Sequence, residues 1–355
     1  MPVPETIEEI IASTNKKAKR QVLYPGSELK RVTYARCSTG CLSFDLMLGG
    51  GWPMNGINEI VGYESMGKTT ISMKTIAAQQ ALDPDHHTVW VAAEDFDFAY
   101  AMQLGVDADR MTFVATNIME EAYESCDRVL KARACDAVIV DSLPALMPSE
   151  EDDKTMMEST VGRSALLTNK FMRKVLYSSG RSMVEHDRNV LVLLINQWRE
   201  RVGVMYGDPR TTPGGRGKNY TFLTRVDVTR DEWLKEGDRL VGQTIKAQTI
   251  KNKTHPPRRI GTVDYYFDQS DPFQPGEYDL TRDVWDVAIE TGVIERKGAW
   301  YHFKSKRWNG KEAVWKDMKA DPKLVAALDT EVRREVLGIE PPPAASSRKR
   351  TVARK

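Results

Sequence analysis

Short apolar runs, each closed by a polar or acidic residue, alternate with helix-periodic stretches between about residues 35 and 270. Ile57-Asn58-Glu59-Ile60-Val61 alternates like a short strand, and residues 70–80 carry helix formers with apolar positions at helical spacing. Thr88-Val89-Trp90-Val91-Ala92-Ala93 runs into Glu94-Asp95, and Met111-Thr112-Phe113-Val114-Ala115 precedes a helix-like stretch over 119–134. Ala137-Val138-Ile139-Val140 ends in Asp141, and residues 189–195 end in Asn196-Gln197. Continuous apolar strands separated by helices predict an α/β fold with a mostly parallel central sheet buried on both faces. In such sheets ligands gather at the carboxyl ends of the strands, where Glu94, Asp141 and Gln197 all stand.

Two stretches break this alternation. Residues 148–159 are acidic and rich in methionine. Residues 198–220 hold Gly207, Gly214, Gly215 and Gly217, Pro209 and Pro213, and five Arg or Lys. A loop of that length inside a compact domain needs a function or a partner to order it. Outside the core, residues 5–20 read as an amphipathic helix with Ile7, Ile10 and Ile11 on one side and Lys16, Lys17, Lys19 and Arg20 at its end. Tyr24-Pro25-Gly26 breaks it. From about Pro272 a Trp-rich, charged segment reads as a small separate domain, followed by Pro341-Pro342-Pro343-Ala344-Ala345 and a basic tail. The expected division is 1–35 (helix and linker), 36–270 (core), 271–337 (small domain) and 338–355 (linker and tail).

The 355 residues, 41% of them hydrophobic, suffice for a large core, and no apolar run approaches the roughly 20 residues a bilayer crossing needs. Without a signal-peptide pattern the expected location is the cytoplasm, with no membrane partner. Cys37, Cys41, Cys126 and Cys135 are too scattered for a disulfide framework and are expected to be reduced packing residues. A net charge of +1 conceals local clusters: Arg348, Lys349, Arg350, Arg354 and Lys355 fall within the last ten residues without an acid.

Gly62-Tyr63-Glu64-Ser65-Met66-Gly67-Lys68-Thr69 matches the G-x-x-x-x-G-K-[ST] loop that wraps nucleotide phosphates, set between a strand and a helix as that motif requires. Lys68 is expected to span the outer phosphates and the Thr69 hydroxyl to bind Mg²⁺, with Asp141 holding the metal through water. Glu94, at a neighbouring strand mouth, is the candidate to polarise an attacking water, and Gln197 the candidate to touch the γ-phosphate. Gln197 immediately precedes the glycine-rich loop, so nucleotide state has a direct route into it. Arg199, Arg201, Arg210, Arg216 and Lys218 supply that loop with cations, and Trp198 or Tyr206 is placed to meet bases, the composition of a nucleic-acid element.

From about residue 36 to 337 the chain resembles the bacterial RecA recombinases. The resemblance runs through Ser38-Thr39-Gly40-Cys41-Leu42-Ser43-Phe44-Asp45, the phosphate loop, Tyr100-Ala101-Met102-Gln103-Leu104-Gly105-Val106-Asp107 and Val140-Asp141-Ser142. It continues through Ile195-Asn196-Gln197, Gly203-Val204-Met205-Tyr206-Gly207, Thr211-Thr212-Pro213-Gly214-Gly215, Lys251-Asn252-Lys253 and Gly298-Ala299-Trp300-Tyr301. It implies a RecA-like P-loop ATPase core, an N-terminal helical arm packing on the next subunit, and a small α+β C-terminal domain meeting duplex DNA. The implied activity is ATP- and Mg²⁺-dependent: a helical homopolymer coats single-stranded DNA and exchanges it into homologous double-stranded DNA, with DNA-stimulated ATP hydrolysis.

By the same likeness Glu94 is the catalytic carboxylate, Tyr100 stacks on adenine with Asp97 beside it, and Thr70 joins residues 62–69 around the nucleotide. Lys251 and Lys253 reach across the filament interface to the neighbour's γ-phosphate. Val161, Gly162 and Arg163 mark one DNA-binding loop, with Arg173 on the adjoining helix. Trp198, Arg199, Arg201, Thr211, Thr212, Gly214 and Gly215 mark the other. Departures from the family pattern include Ala92 in place of aspartate, Leu166 in place of an arginine for which Arg163 substitutes one turn earlier, Pro213 in place of threonine, and a basic rather than acidic tail. These are the marks of a divergent member, bacterial or bacteriophage-encoded. The alternative reading is a RecA-like ATP- and DNA-binding filament or accessory protein without productive strand exchange.

The tail gives a test. Each full phosphate contact on a single strand contributes about −0.7 to the slope of log affinity against log salt, so deleting residues 346–355 should flatten that slope by roughly one to three units. A salt titration of DNA binding by full-length and truncated protein reads it directly; tighter binding after truncation would show that the tail is no DNA-binding arm.

Overall fold

The computed structural model describes residues 5–19, 21–27, 34–152, 162–179, 188–201, 203, 207–215 and 217–338. The basic tail, Arg20, Val161, Tyr206 and Arg216 lie outside the described residues.

Helix α1 (Ile7–Ala18) opens on a capping box in which Thr6 and Glu9 satisfy each other's backbone N–H groups. None of its residues is buried, and Ile7 is 62% exposed. Strand β1 (Arg36–Cys37), helix α2 (Leu42–Leu48) and strand β2 (Trp52–Pro53) follow, the two strands pairing antiparallel. The core then alternates: β3 (Ile57–Gly62), α3 (Lys68–Leu82), β4 (Thr88–Ala92), α4 (Phe98–Gln103), β5 (Met111–Val114), α5 (Met119–Ala132) and β6 (Ala137–Asp141). Helix α6 (Ser149–Asp152) is a single turn, and α7 (Arg163–Ser178) leads to β7 (Leu191–Gln197). A hairpin of β8 (Arg199–Glu200) and β9 (Arg210–Thr211) and the four-residue α8 (Lys218–Thr221) separate it from the long pair β10 (Thr224–Glu236) and β11 (Arg239–Asn252), with β12 (Ile260–Tyr266) beyond.

These strands form one eight-stranded sheet in the order β12-β11-β10-β3-β7-β6-β4-β5, parallel from β10 to β5 and antiparallel across β10, β11 and β12. The mostly parallel sheet expected from the apolar runs is therefore the observed one. Strand periodicity divides its two faces cleanly. Ile60, Trp90, Leu191, Leu193 and Ile195 pack with α2, α3 and α4, whereas Ile57, Val89, Val91, Val192 and Leu194 pack with α5 and α7. Cys37, Cys41, Cys126 and Cys135 are buried and free. Among the described residues no helix is long and apolar enough to cross a membrane.

The chain stays on the core through Tyr278, then builds α9 (Leu280–Glu290), a sheet of β13 (Glu295–Lys297), β14 (Trp300–Phe303) and β15 (Lys306–Asn309), and helices α10 (Lys311–Ala320) and α11 (Pro322–Leu337). Trp285, Tyr301, Phe303, Trp308 and Leu328 form its own apolar cluster, which Leu42 of α2 joins. Two buried carboxylates lock it to α2. Asp283 accepts the Leu42 and Ser43 backbone N–H groups at 2.7 and 3.1 Å, and Asp45, fully buried, pairs with Arg333 at 2.8 Å. Removing one partner of a buried pair strands the other charge, so Arg333→Met should lower stability by about 3 kcal/mol in urea unfolding. A variant as stable as the parent would mean that the pair contributes nothing net.

Candidate nucleotide and nucleic-acid site

The phosphate loop turns through two residues with positive φ, Ser65 at 58° and Gly67 at 98°. A Cβ on Gly67 would lie 2.8 Å from the Ile245 side chain, and one on Gly62 only 2.4 Å from the Val228 carbonyl, so both positions require glycine. Lys68, the first residue of α3, is buried and donates to the Tyr63 carbonyl at 2.6 Å, closing the loop over its own ammonium. Burial lowers its pKa, against the pull of Asp141, Glu94 and Glu64. Tyr63 and Glu64 are exposed, with Tyr63 donating to Glu200 at 3.3 Å, and Met66 packs on the core.

Thr69 donates to Asp141 at 3.0 Å. Burial, and then the nearby Glu94 charge, push the Asp141 carboxyl up to about 7. A buried acid so destabilised as an anion gains from a cation beside it, and the Thr69 hydroxyl lies within reach of the same point. The pair therefore fits Mg²⁺. Glu94 is exposed at the mouth of β4, accepting from the Ser142 hydroxyl and, at 3.5 Å, from Gln197. On the base side, Asp97 caps α4 by accepting the Tyr100 N–H at 3.0 Å. The Tyr100 hydroxyl shares hydrogen bonds with Thr70 at 2.7 Å and Tyr265 at 3.1 Å.

Strand β7 carries Gln197 and then enters the glycine-rich loop, where Trp198 N–H reaches back to the Gly62 carbonyl at 3.4 Å. The two loops thus leave adjacent strand ends, as the order of residues predicts. Arg199 and Arg201 are exposed. Trp198 is turned partly inward instead of standing free for a base: its indole donates to Asp227 at 2.7 Å, and Arg210, itself paired with Asp208 and Asp227, lies over its ring. Thr212 is also buried. Lys218 corrects the sequence reading outright, being no surface cation but a fully buried residue whose ammonium meets Thr212 Oγ1 at 2.8 Å, the Gly215 carbonyl at 3.0 Å and the Thr212 carbonyl at 3.3 Å. Gly214 and Gly215 lie against Thr168 and Ala165 of α7, so the second loop rests on the helix that follows the first.

On that helix Gly162 is the N-cap, Arg163 pairs with Glu150 at 3.1 Å and Glu120 at 3.9 Å, and Arg173 is exposed. Lys251 and Lys253 donate to the Asn219 and Tyr220 carbonyls of α8, the latter at 2.9 Å. Burial, then Lys253 and Arg225, push the Lys251 amine down to about 8.

Sequence reasoning passed over three features. Ser142 holds Glu94. Tyr265 holds Tyr100. The third is the fully buried Glu59, which accepts from Asn196 of β7 at 2.8 Å and from Arg225 of β10, and its signal was visible as a lone acid inside an apolar strand.

Comparison with known proteins places this geometry. The family model for the RecA N-terminal domain matches residues 5–270, and that for the RecA C-terminal domain matches residues 282–337. Protein RecA of Staphylococcus aureus, in strains JH9, Newman and JH1, is 35% identical over 311 residues, spanning 85% of this chain and 83% of the relative. On the strength of two family models that between them span nearly all of the described core and C-terminal unit, the chain belongs to the RecA family.

Proposed function

We propose that this protein is a DNA-dependent ATPase that forms helical filaments on single-stranded DNA and catalyses homologous pairing and strand exchange. Family membership supports the DNA-dependent ATPase in general. The observation that carries the finer reading is the meeting of Glu94 and Gln197 at 3.5 Å, which sets the candidate water-orienting carboxylate against the residue that opens the glycine-rich loop. A change at the phosphates reaches that loop through one side chain.

In this reading the loop N–H groups of residues 62–67 and Lys68 bind the phosphates, while Thr69 and Asp141 hold Mg²⁺. The metal supplies charge neutralisation on the phosphate oxygens. Glu94, oriented by Ser142, aligns the attacking water and takes up its proton. Tyr100 covers the base, with Asp97 setting the helix that carries it. Lys251 and Lys253 act on the nucleotide of an adjacent subunit. The exposed Ile7 and Ile10 on α1 suit a helix that packs on that subunit, giving residues 1–35 an oligomerisation role. Residues 36–270 are then the ATPase core, 271–337 the duplex-binding unit, and 338–355 a tether with a basic tail. The DNA track comprises Gly162, Arg163, Arg173, Arg199, Arg201, Thr211, Gly214 and Gly215.

Purified protein with ATP, Mg²⁺, single-stranded DNA and a homologous duplex should yield exchanged product. ATPase activity with DNA binding but no exchanged strand would instead favour a filament-forming accessory protein. Lys68→Ala should abolish hydrolysis, whereas Glu94→Gln should keep ATP binding and form long-lived filaments that do not turn over. Undiminished turnover in the glutamine variant removes Glu94 from the chemistry.

The trans assignment is separable. Lys251→Ala and Glu94→Gln subunits, each inactive alone, should regain part of the DNA-stimulated turnover when mixed, because some interfaces then pair an intact Glu94 with an intact Lys251. Mixed filaments as inactive as either parent would place Lys251 on its own subunit's nucleotide.

A further inference from the structure

Lys218 stands at the centre of an arrangement that the ATPase reading leaves unused. Its side chain is fully buried, yet every proton of its ammonium has an oxygen to meet: Thr212 Oγ1, the Thr212 carbonyl and the Gly215 carbonyl. Those oxygens belong to the glycine-rich loop, whereas Lys218 is the first residue of α8. Burying an ammonium is costly unless it is so paired, which makes this a specific tie rather than incidental packing. The loop has little freedom to go elsewhere. A Cβ at Gly215 would come within 3.0 Å of Ala165, and one at Gly217 within 2.6 Å of Asn169 Oδ1.

The other side of α8 faces the lysine segment. Its Asn219 and Tyr220 carbonyls accept from Lys251 and Lys253, so one helical turn is held between the loop and the pair assigned to the neighbour's nucleotide. That junction is also where polar groups are left over. Asn219 Oδ1 and Arg225 Nη2 are both buried without a hydrogen-bond partner. Buried polar groups are normally satisfied, so two orphans at one junction point to a second arrangement in which they are paired. Lys251, Lys253 and Arg225 crowd the same place, with Glu59 the acid that faces them. The lysines are thus docked on carbonyls of α8 in the free subunit, and an anion is the partner that would draw them off.

We infer that Lys218 is a positioning residue that couples the DNA loop to the trans-acting lysines: DNA shifts the Thr212–Gly215 backbone, Lys218 carries the shift to α8, and α8 releases Lys251 and Lys253 toward the adjacent nucleotide. This rests on the reading of the loop as DNA-binding and of the lysines as acting in trans. Lys218 itself touches neither DNA nor nucleotide.

The test is Lys218→Met, which keeps the chain length and fills the cavity while removing the donors. With single-stranded DNA at concentrations that saturate each protein, DNA-stimulated turnover should fall about tenfold or more while ATP affinity stays within about threefold of the parent. Stimulated turnover within twofold of the parent would overturn the inference. So would a fall of about 0.7 in the salt slope with stimulation intact, since that is the signature of a lost phosphate contact. If Lys218→Met fails to fold, as judged by lost ATP binding, Thr212→Val decides. It removes the 2.8 Å partner alone, and should lower stimulated turnover at saturating DNA without altering ATP affinity. Unaltered stimulation in Thr212→Val would overturn the coupling. An Arg199→Ala, Arg201→Ala double variant tests the underlying premise separately: unchanged DNA affinity there would remove the loop from DNA binding, whatever Lys218 does.

Discussion

One buried carboxylate sets the relation among all the working loops. Glu59 lies in the middle of the central strand β3 with no exposed surface, bonded on one side to Asn196 of β7 and on the other to Arg225 of β10. Those three adjacent strands lead into the phosphate loop, into Gln197 and the glycine-rich loop, and away from α8. An acid inside an apolar sheet is tolerated only when its oxygens are paired, so its neighbours are held in one register. A slip of one residue would point Glu59 into the opposite apolar layer. The same interaction therefore fixes the spacing between the nucleotide end and the DNA end of the site.

With that spacing set, the chemistry gathers on one edge. Asp141 is held in an environment that disfavours its own charge, Glu94 is steered by Ser142 and Gln197, and Lys68 is folded back on its loop. Each of these groups is arranged as though an anion and a cation together would complete it. The lysines on α8 show the same incompleteness from the opposite side, with cations crowded against one another. The C-terminal unit stands apart from this economy. It is tied to α2 through Asp283 and through the Asp45–Arg333 pair, both remote from the phosphate loop.

Much of this was readable along the chain because period and punctuation are local properties. The apolar runs ending in Glu94, Asp141 and Gln197 are the strands β4, β6 and β7, and glycine-loop chemistry located the phosphate site. Helix α1 follows from its capping box and spacing. The order of elements, with few insertions, was enough to bring those strand ends together, because parallel strands joined by helices place their carboxyl ends on one side of the sheet.

What the chain order could not show is which polar side chains turn inward. Lys218 reads as one more cation in a basic loop, and only the packing of Gly214 and Gly215 against α7 makes it a buried tie. Trp198 reads as a free aromatic, until Asp227, 29 residues later in sequence, captures its indole N–H. Glu59 is visible as an oddity, but its partners come from strands 137 and 166 residues away. Composition and spacing fix which elements form, because those depend on neighbours along the backbone. Whether a charge is displayed or consumed depends on neighbours across the fold, and that was decided only when distant strands and loops met.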